Sequence, residues 1–235
     1  QLVSRGDLEL DELYGSWAGA FGHTQFIPTT YQRHAVDFDG DGRRDLVKSI
    51  PDALASTANY LRRSGWRSGE AWMLEVKVRP GYAGPRGRRA YATLADWGKR
   101  GALRADGARL EGRTLAGLIL PAGANGPGFL AFRNFGAIYA YNHADSYAIA
   151  ISHLADRLAG QPPLRTPWPT DDPGLSRVQQ LELQKLLLAK GHDIGKPDGK
   201  IGPATRSAIA EAEKRLGWPA TGRAGMKIYR ALGGK

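Results

Sequence analysis

A short acidic segment carries the clearest chemistry in the sequence. It places carboxylates at Asp37, Asp39 and Asp41 and a glycine at Gly42. Alternate carboxylates can turn inward onto one cation, and a glycine at the sixth position of such a loop permits the sharp bend. The spacing therefore indicates a calcium loop of the EF-hand kind. An aspartate- and glycine-rich turn without a metal is the alternative interpretation.

The far end of this loop departs from an ordinary EF-hand. The twelfth position, where a bidentate glutamate is usual, is occupied by Lys48. The next carboxylates are those of Asp45 and Asp52, so we expect a longer loop that Asp52 closes. Arg43 and Arg44 also reduce the local negative charge, which weakens cation binding.

A second segment, residues 15–28, mixes small residues with aromatic and hydrogen-bonding ones. Its glycines and alanines would let a ligand approach the backbone closely, and Trp17, Phe21 and Phe26 offer apolar walls. Ser16 and Gln25 can hydrogen-bond hydroxyl and acetamido groups. The same composition fits a tightly packed pair of helices equally well.

The elements that position these residues form an alternating pattern. Residues 8–30 and 52–64 are predicted to be helices or turn–helix segments, with Asp52 as the N-cap of the second. Further along, we predict a strand at 72–78, a helix at 92–100 that starts near Thr93, a strand at 115–120, a turn at 121–128 and a helix at 147–158. Helices that flank a small β-containing insertion indicate an α+β fold.

Residues 161–174 are rich in proline, which lacks an N–H donor and fixes φ, so this segment is predicted to be an extended linker. Amphipathic helices are predicted after it at 175–188, 204–216 and 225–232, as a small three-helix module. The predicted organisation is thus a large region at 1–160, a linker at 161–174 and a module at 175–235.

Composition excludes some classes of site and partner. The 235 residues contain no cysteine, so disulfides, thiolate metal sites and cysteine nucleophiles are excluded. The formal net charge of +10 suits an anionic partner such as nucleic acid, a membrane surface or a cell-wall polymer. The basic residues are dispersed, without the dense cluster typical of a nucleic-acid interface. A solvated basic surface is the simpler interpretation of the charge.

The motifs resemble the lytic murein transglycosylase B family. The similarity runs over residues 12–160, through the segments 15–28, 35–42, 58–61, 65–66, 120–123, 126–127, 129–130, 134–135 and 139–143. The resemblance implies a lysozyme-like α+β fold. It also implies cleavage of the β-1,4 bond between N-acetylmuramic acid and N-acetylglucosamine, in which the muramoyl C6 hydroxyl attacks C1 and leaves a 1,6-anhydro end.

The resemblance also assigns roles to individual residues. Ser16 and Asn142 would hydrogen-bond the sugar at the cleavage site, Gln25 and Tyr141 would line the groove, and Tyr60 would lie beside the catalytic acid. Calcium would be held by Asp37, Asp39, Asp41, the backbone carbonyl of Arg43, and Asp52. Tyr60 and Tyr141 as ordinary core aromatics, and Ser16 as a helix cap, are the structural alternatives.

The family's catalytic glutamate has no match in this sequence. In the family it precedes the Ser-Trp-Ala-Gly segment by several tens of residues, and Glu9 and Glu12 lie too close to Ser16 to replace it. We therefore expect the general acid/base upstream of Gln1, and we expect this chain by itself to be inactive. A nonpolar pocket would suit that acid, because desolvation raises the pKa of a carboxyl group.

The C-terminal module resembles the peptidoglycan-binding domain 1 family, through the residues 198–205 and the apolar positions of its helices. A helical brace between domains is the alternative. The expected partners are peptidoglycan strands and an N-terminal fragment of the same protein, with no nucleic acid and a monomeric state. The expected location is the periplasm or envelope of a Gram-negative bacterium, soluble or lipid-anchored. A non-catalytic peptidoglycan-binding scaffold is the alternative function.

Overall fold

The computed structural model describes residues 3–9, 14–169 and 171–234. The chain forms two compact units, the first made of Gln1–Glu70 and Arg133–Ile151 and the second of Ala71–Phe132 and Ser152–Lys235. The helices are α1 (Pro28–His34), α2 (Ile50–Arg63), α3 (Leu94–Lys99), α4 (Arg133–Asn142), α5 (Asp145–Leu158), α6 (Arg177–Ala189), α7 (Pro203–Arg215) and α8 (Met226–Ala231). The strands are β1 (Met73–Val78), β2 (Tyr91–Thr93), β3 (Ala102–Arg104), β4 (Leu115–Ile119) and β5 (Gly128–Ala131), and short 3₁₀ turns lie at Val3–Arg5 and Gly123–Asn125. Within these described ranges, no helix is long and apolar enough to cross a membrane.

The first unit is organised around α2. The predicted helix at 52–64 is confirmed, but the prediction that Asp52 is its N-cap is wrong. Ser49 is the N-cap, and its hydroxyl accepts the backbone N–H of Asp52 at 3.3 Å. Pro51 fits the first turn because its missing N–H would have no partner there, so the helix begins earlier and Asp52 lies in its first turn.

Residues 8–30 are predicted as helices or turn–helix segments, and the helical interpretation is wrong for the described residues before Pro28. The described residues before Pro28 form turns and the isolated bridges Gly15–Phe21 and Phe21–Phe26. Left-handed backbone breaks any helix here, with φ of 71° at Gly22 and 52° at Gln25. A Cβ at Gly22 would also lie 2.5 Å from the carbonyl oxygen of Leu46, so only glycine fits this close approach.

The second unit contains an antiparallel sheet with the strand order β2-β4-β5-β1-β3. Its core side chains include Val76, Leu118 and Leu130, which are completely buried. Trp97 on α3 packs on the same core, and its indole N–H donates to the carbonyl of Ala116 at 2.8 Å. The predicted strands at 72–78 and 115–120 are confirmed, and so is the α+β class. The helix predicted at 92–100 is confirmed from Leu94, with Thr93 as its N-cap, but Ala92 and Thr93 belong to β2.

The C-terminal helices α6, α7 and α8 confirm the predicted three-helix module. Leu183, Leu187 and Ile209 form its centre without exposed surface. The buried side chain of Gln184 joins the helices to the turn before α7. Its oxygen accepts the N–H groups of Asp198 and Gly199 at 3.0 and 2.7 Å, and its amide donates to the carbonyl of Lys200 at 3.0 Å and to the hydroxyl of Thr205 at 3.3 Å.

These bonds make Gln184 the residue on which the turn of the module depends. Gln184→Ala leaves two backbone N–H donors without an acceptor, and we expect it to destabilise the chain by about 1–3 kcal/mol. Urea denaturation followed by circular dichroism measures the loss, and the exposed neighbour Lys185→Ala is the control. Equal stability of the two variants would contradict this role.

Candidate functional site

The acidic loop brings three of its predicted carboxylates together. One oxygen each from Asp37, Asp39 and Asp52 lies within 4.8 Å of the others. Asp52 is completely buried, whereas Asp39 is exposed. Asp41 lies outside this group, and its carboxylate accepts the N–H of Arg43 at 2.8 Å.

Backbone N–H groups fix the geometry of these carboxylates. Asp37 accepts from Gly40 and Gly42 at 2.7 and 2.9 Å. Asp52 accepts from Phe38 at 2.8 Å with one oxygen and from Asp45 at 2.8 Å with the other. Asp52 therefore closes the loop by accepting hydrogen bonds from two of its backbone N–H groups.

The donor set fits a calcium ion. Calcium binds six to eight oxygens at about 2.3–2.6 Å, so two of its ligands lie up to about 5 Å apart. The three grouped oxygens satisfy that limit. Carboxylates this close repel one another without a cation, and a hard divalent ion removes the repulsion.

Tyr31 fastens the end of the loop to the core of the first unit. Its hydroxyl donates to the carbonyl of Arg44 at 2.8 Å, and its ring is completely buried. The guanidinium of Arg44 lies 5.1 Å from the centre of that ring and forms an ion pair with Asp7. Burial is the main cause that raises the pKa of Tyr31 well above its usual value, and the Asp7 charge adds to it.

A cluster of aromatic rings lies in the same unit. The rings of Tyr60 on α2 and Tyr141 on α4 meet edge to face, 5.0 Å apart, and Phe26 lies 5.9 Å from each. Tyr147 stacks on Tyr141 at 6.3 Å. Such tilted contacts favour a fixed ring geometry.

The hydroxyls of Tyr60 and Tyr141 both donate hydrogen bonds within the protein. The Tyr60 hydroxyl donates to the carbonyl of Ala140 at 2.7 Å, and that of Tyr141 donates to the carbonyl of Thr24. Burial raises the pKa of Tyr141, against the lowering effect of its hydrogen bonds. Each oxygen keeps lone pairs that can accept a further hydrogen bond.

The remaining predicted site residues lie at exposed positions. Gln25 is in the loop before α1, with its amide donating to the carbonyl of Gly22 at 2.9 Å. Ser16 accepts the N–H of Ala20 at 3.1 Å, which stabilises a turn, so its alternative role as a helix cap is wrong. Asn142 is the last residue of α4.

The hydroxyls of Tyr60 and Tyr141 are hydrogen-bonded to backbone carbonyls in the described part of the chain. Neither Tyr60 nor Tyr141 receives a hydrogen bond from an acid there. Glu9 is exposed, and Glu12 lies outside the described residues. Among the described residues, the tyrosine pair thus offers hydrogen-bonding and aromatic groups, and no acid is hydrogen-bonded to it.

Sequence reasoning missed the stacking of Tyr147 on Tyr141. The two residues are six positions apart, on different helices, and no periodic pattern joins them. An available signal was the tyrosine-rich stretch across the break between α4 and α5, where His143 has a φ of 45°.

These features define a lysozyme-like α+β protein with an additional helical module, and comparison with known proteins supplies the family. Residues 1–156 match the family Transglycosylase SLT domain, and residues 177–232 match a peptidoglycan binding domain family. The chain belongs to the Transglycosylase SLT domain family.

Individual relatives agree with this assignment. The chain is 33% identical over 149 residues to membrane-bound lytic murein transglycosylase B of Escherichia coli K12, covering 63% of this chain and 40% of that protein. It is similar to SltB3 of Pseudomonas aeruginosa, solved in complex with NAG-anhNAM-pentapeptide, with 44% identity and a TM-score of 0.89 over 98% of this chain and 63% of that one. The E. coli transglycosylase Slt35, solved with calcium, gives 31% identity and a TM-score of 0.58 over 67% of this chain and 49% of that one. The chain thus spans less than two thirds of each of these relatives.

The buried Tyr141 hydroxyl should contribute measurably to stability. Tyr141→Phe leaves the Thr24 carbonyl without its donor, and we expect a loss of about 1 kcal/mol in the free energy of unfolding near neutral pH. Because burial raises the pKa of Tyr141 above the usual 10.0, the stabilisation from the neutral phenol is complete below that pH and declines as the pH rises through the folded-state pKa.

Denaturation at neutral pH and at pH values above 10 measures both effects, and the difference between wild type and Tyr141→Phe should shrink at high pH. The exposed Tyr91→Phe is the control. A difference between wild type and Tyr141→Phe that grows with pH would contradict the assignment.

Proposed function

We propose that the protein is a peptidoglycan lytic transglycosylase that acts in the periplasm or cell envelope. Membership of the Transglycosylase SLT domain family is the observation that carries the proposal. The peptidoglycan binding domain match supports the same substrate, and so does the relative solved with NAG-anhNAM-pentapeptide.

In this proposal the tyrosine cluster forms one wall of the glycan groove. Ser16 and Asn142 are exposed and can exchange hydrogen bonds with sugar hydroxyl and acetamido groups. Gln25 lies beside Phe26, whose buried ring packs against Tyr60 and Tyr141. The groove would hold the muramoyl residue while its own C6 hydroxyl, in place of water, attacks C1.

The reaction needs one carboxyl group, which we propose comes from outside these 235 residues. As an acid it protonates the glycosidic oxygen, and as a base it then takes the proton of the C6 hydroxyl. Tyr60 would position this group, because its hydroxyl donates to Ala140 and still has acceptor lone pairs. The aromatic surroundings would disfavour the charged carboxylate and keep the acid protonated.

Digestion of purified sacculi tests the activity. The pure chain should bind sacculi without releasing soluble muropeptides, whereas a longer polypeptide from the same reading frame that carries the glutamate should release products with 1,6-anhydro ends. Mass spectrometry distinguishes these from hydrolysis products, which are heavier by one water. Release of anhydro products by the pure chain would contradict the missing-acid proposal.

Failure of every polypeptide from that reading frame to cleave sacculi, with binding retained, would favour the non-catalytic scaffold. The observation that supports this second function is that no described carboxylate is hydrogen-bonded to Tyr60 or Tyr141.

We also propose that the acidic loop binds calcium through Asp37, Asp39 and Asp52, with Asp41 and the carbonyl of Arg43 completing the set. The grouped carboxylates support the proposal, and so does the relative solved with calcium. The ion would neutralise the acidic loop that precedes α2. It has no step in the reaction.

Calcium titration tests this site. The chain should bind one calcium ion by calorimetry, and binding should raise its melting temperature. Asp39→Asn should weaken binding by about tenfold or more, because affinity in such loops follows the number of charged ligands. Asp193→Asn, an exposed acid in the C-terminal module, is the control. Equal calcium affinity of the two variants, or no binding by the wild type, would contradict the proposal.

A further inference from the structure

A large cleft in the second unit is not used by the proposed cleavage chemistry. Its volume is about 850 Å³, within the range of about 300–1,000 Å³ that small-ligand sites occupy. Three parts of the unit line it: the turn after β4 at Ala122 and Asn125, the proline-rich segment around Trp168, and the C-terminal module around Trp218 and Arg230.

Two tryptophans leave much of their surface open at this cleft. Trp168 is 45% exposed and Trp218 is 39% exposed, whereas Trp97 in the sheet core has no exposed surface. Trp168 is held in place, with its ring 6.4 Å from that of the buried Phe129. Large aromatic surfaces in a concave site are typical of ligand binding.

The indoles also have free hydrogen-bonding capacity. In the part of the chain that the structure describes, the N–H groups of Trp168 and Trp218 have no hydrogen-bond partner. The flat apolar face of an indole suits the C–H face of a pyranose ring, and its N–H can donate to an acetamido carbonyl. This pair of properties favours an N-acetylated sugar over a purely apolar ligand.

Three acids and three cations line the cleft, and two ion pairs among them leave Arg230 and Glu213. The buried carboxylate of Glu213 is occupied by hydrogen bonds from Thr221 and Gly222. Arg223 is paired with Asp172, with Nε to carboxylate oxygen at 3.1 Å, and Lys227 is paired with Asp171. Arg230 on α8 is exposed and forms no ion pair with any described residue. Its guanidinium can form a bidentate pair with a carboxylate. The ligand is therefore expected to carry an acid beside its sugar.

The cleft is preformed, because hydrogen bonds hold its walls. The Glu213 carboxylate accepts the hydroxyl of Thr221 at 2.6 Å and the N–H of Gly222 at 2.8 Å, which fixes the loop after Trp218. Asp172 accepts the N–H of Lys227 at 2.8 Å, which fixes the proline-rich segment against α8. A rigid site loses little entropy when it binds.

We propose that this cleft binds the peptide-bearing amino-sugar strand of peptidoglycan. Trp168 and Trp218 stack on N-acetylated sugars, and Arg230 binds a carboxylate of the stem peptide. The inference rests on the proposed function for its substrate class. It adds a saccharide site in the second unit to the residues that we propose for cleavage in the first.

Two soluble probes test the site on the full chain: tetra-N-acetylchitotetraose, which carries no acid, and NAG-NAM-pentapeptide. Both should shift the indole N–H signals of Trp168 and Trp218 in ¹H–¹⁵N spectra. Trp168→Ala and Trp218→Ala should each weaken the titration measured at the other indole by about tenfold. Arg230→Ala should weaken binding of the pentapeptide probe by about tenfold and leave chitotetraose binding unchanged.

Controls separate binding from folding. Tyr91→Ala removes an exposed aromatic ring of the same unit outside the cleft and should leave both titrations unchanged. Each variant should keep the wild-type melting temperature within a few degrees, and Trp218→Phe, which retains a flat ring, should keep part of the affinity.

The contrary outcomes are distinct. Indole signals that neither probe moves, or tryptophan variants that bind like Tyr91→Ala, overturn the cleft proposal even if sacculi are bound and cleaved as proposed above. A response to chitotetraose with no effect of Arg230→Ala on the pentapeptide probe overturns the assigned carboxylate contact. If sacculi are also neither bound nor cleaved, the proposed function fails as well.

Discussion

The buried carboxylate of Asp52 is the constraint on which the first unit depends. It has no exposed surface, and each of its oxygens accepts a backbone N–H, from Phe38 and from Asp45. A buried carboxyl group costs little free energy only when its oxygen atoms accept hydrogen bonds. The acidic loop must therefore keep its shape for α2 to begin where it does, and α2 must begin there for the loop to close.

Helix α2 transmits this constraint to the tyrosine cluster. Tyr60 lies eight residues after Asp52 on the same helix, about 12 Å along its axis. Its hydroxyl donates to Ala140, and its ring meets Tyr141, so α2 and α4 are fixed against each other by polar and aromatic contacts. A cation bound at the loop would therefore affect the proposed groove through this helix, without contacting the substrate.

Local patterns allowed much of the fold to be predicted. The helix at α2, the strands β1 and β4, and the three helices of the module follow from periodicity and from turn residues. The segment before α1 could not be predicted in this way, because small and aromatic residues suit a packed helix pair as well as a folded loop. The left-handed backbone of Gly22 and Gln25, which decides between them, depends on the close approach to Leu46.

The same distinction between local and distant contacts decides which parts of the candidate site could be predicted. The aspartates of the loop are close in sequence, so their spacing alone indicated a cation site. The contact between Tyr60 and Tyr141 joins residues far apart in the chain. The family resemblance alone assigned each of them to the site, and their contact with each other was not predicted. The two cleft tryptophans are separated by fifty positions, one in a proline-rich segment and one after a helix, and no sequence pattern pairs them.

The composition of the proline-rich segment did not predict that this segment would hold a residue at a fixed position. Its prolines predict an extended segment, and hydrogen bonds attach two parts of it to the rest of the unit. Glu75 on β1 accepts the N–H groups of Arg165 and Thr166 at 2.9 and 2.7 Å, and Asp172 accepts from α8. Trp168 lies between Pro167 and Pro169, whose rings fix φ on both sides of it. Its indole is thus presented at a fixed position, which a flexible tether could not achieve.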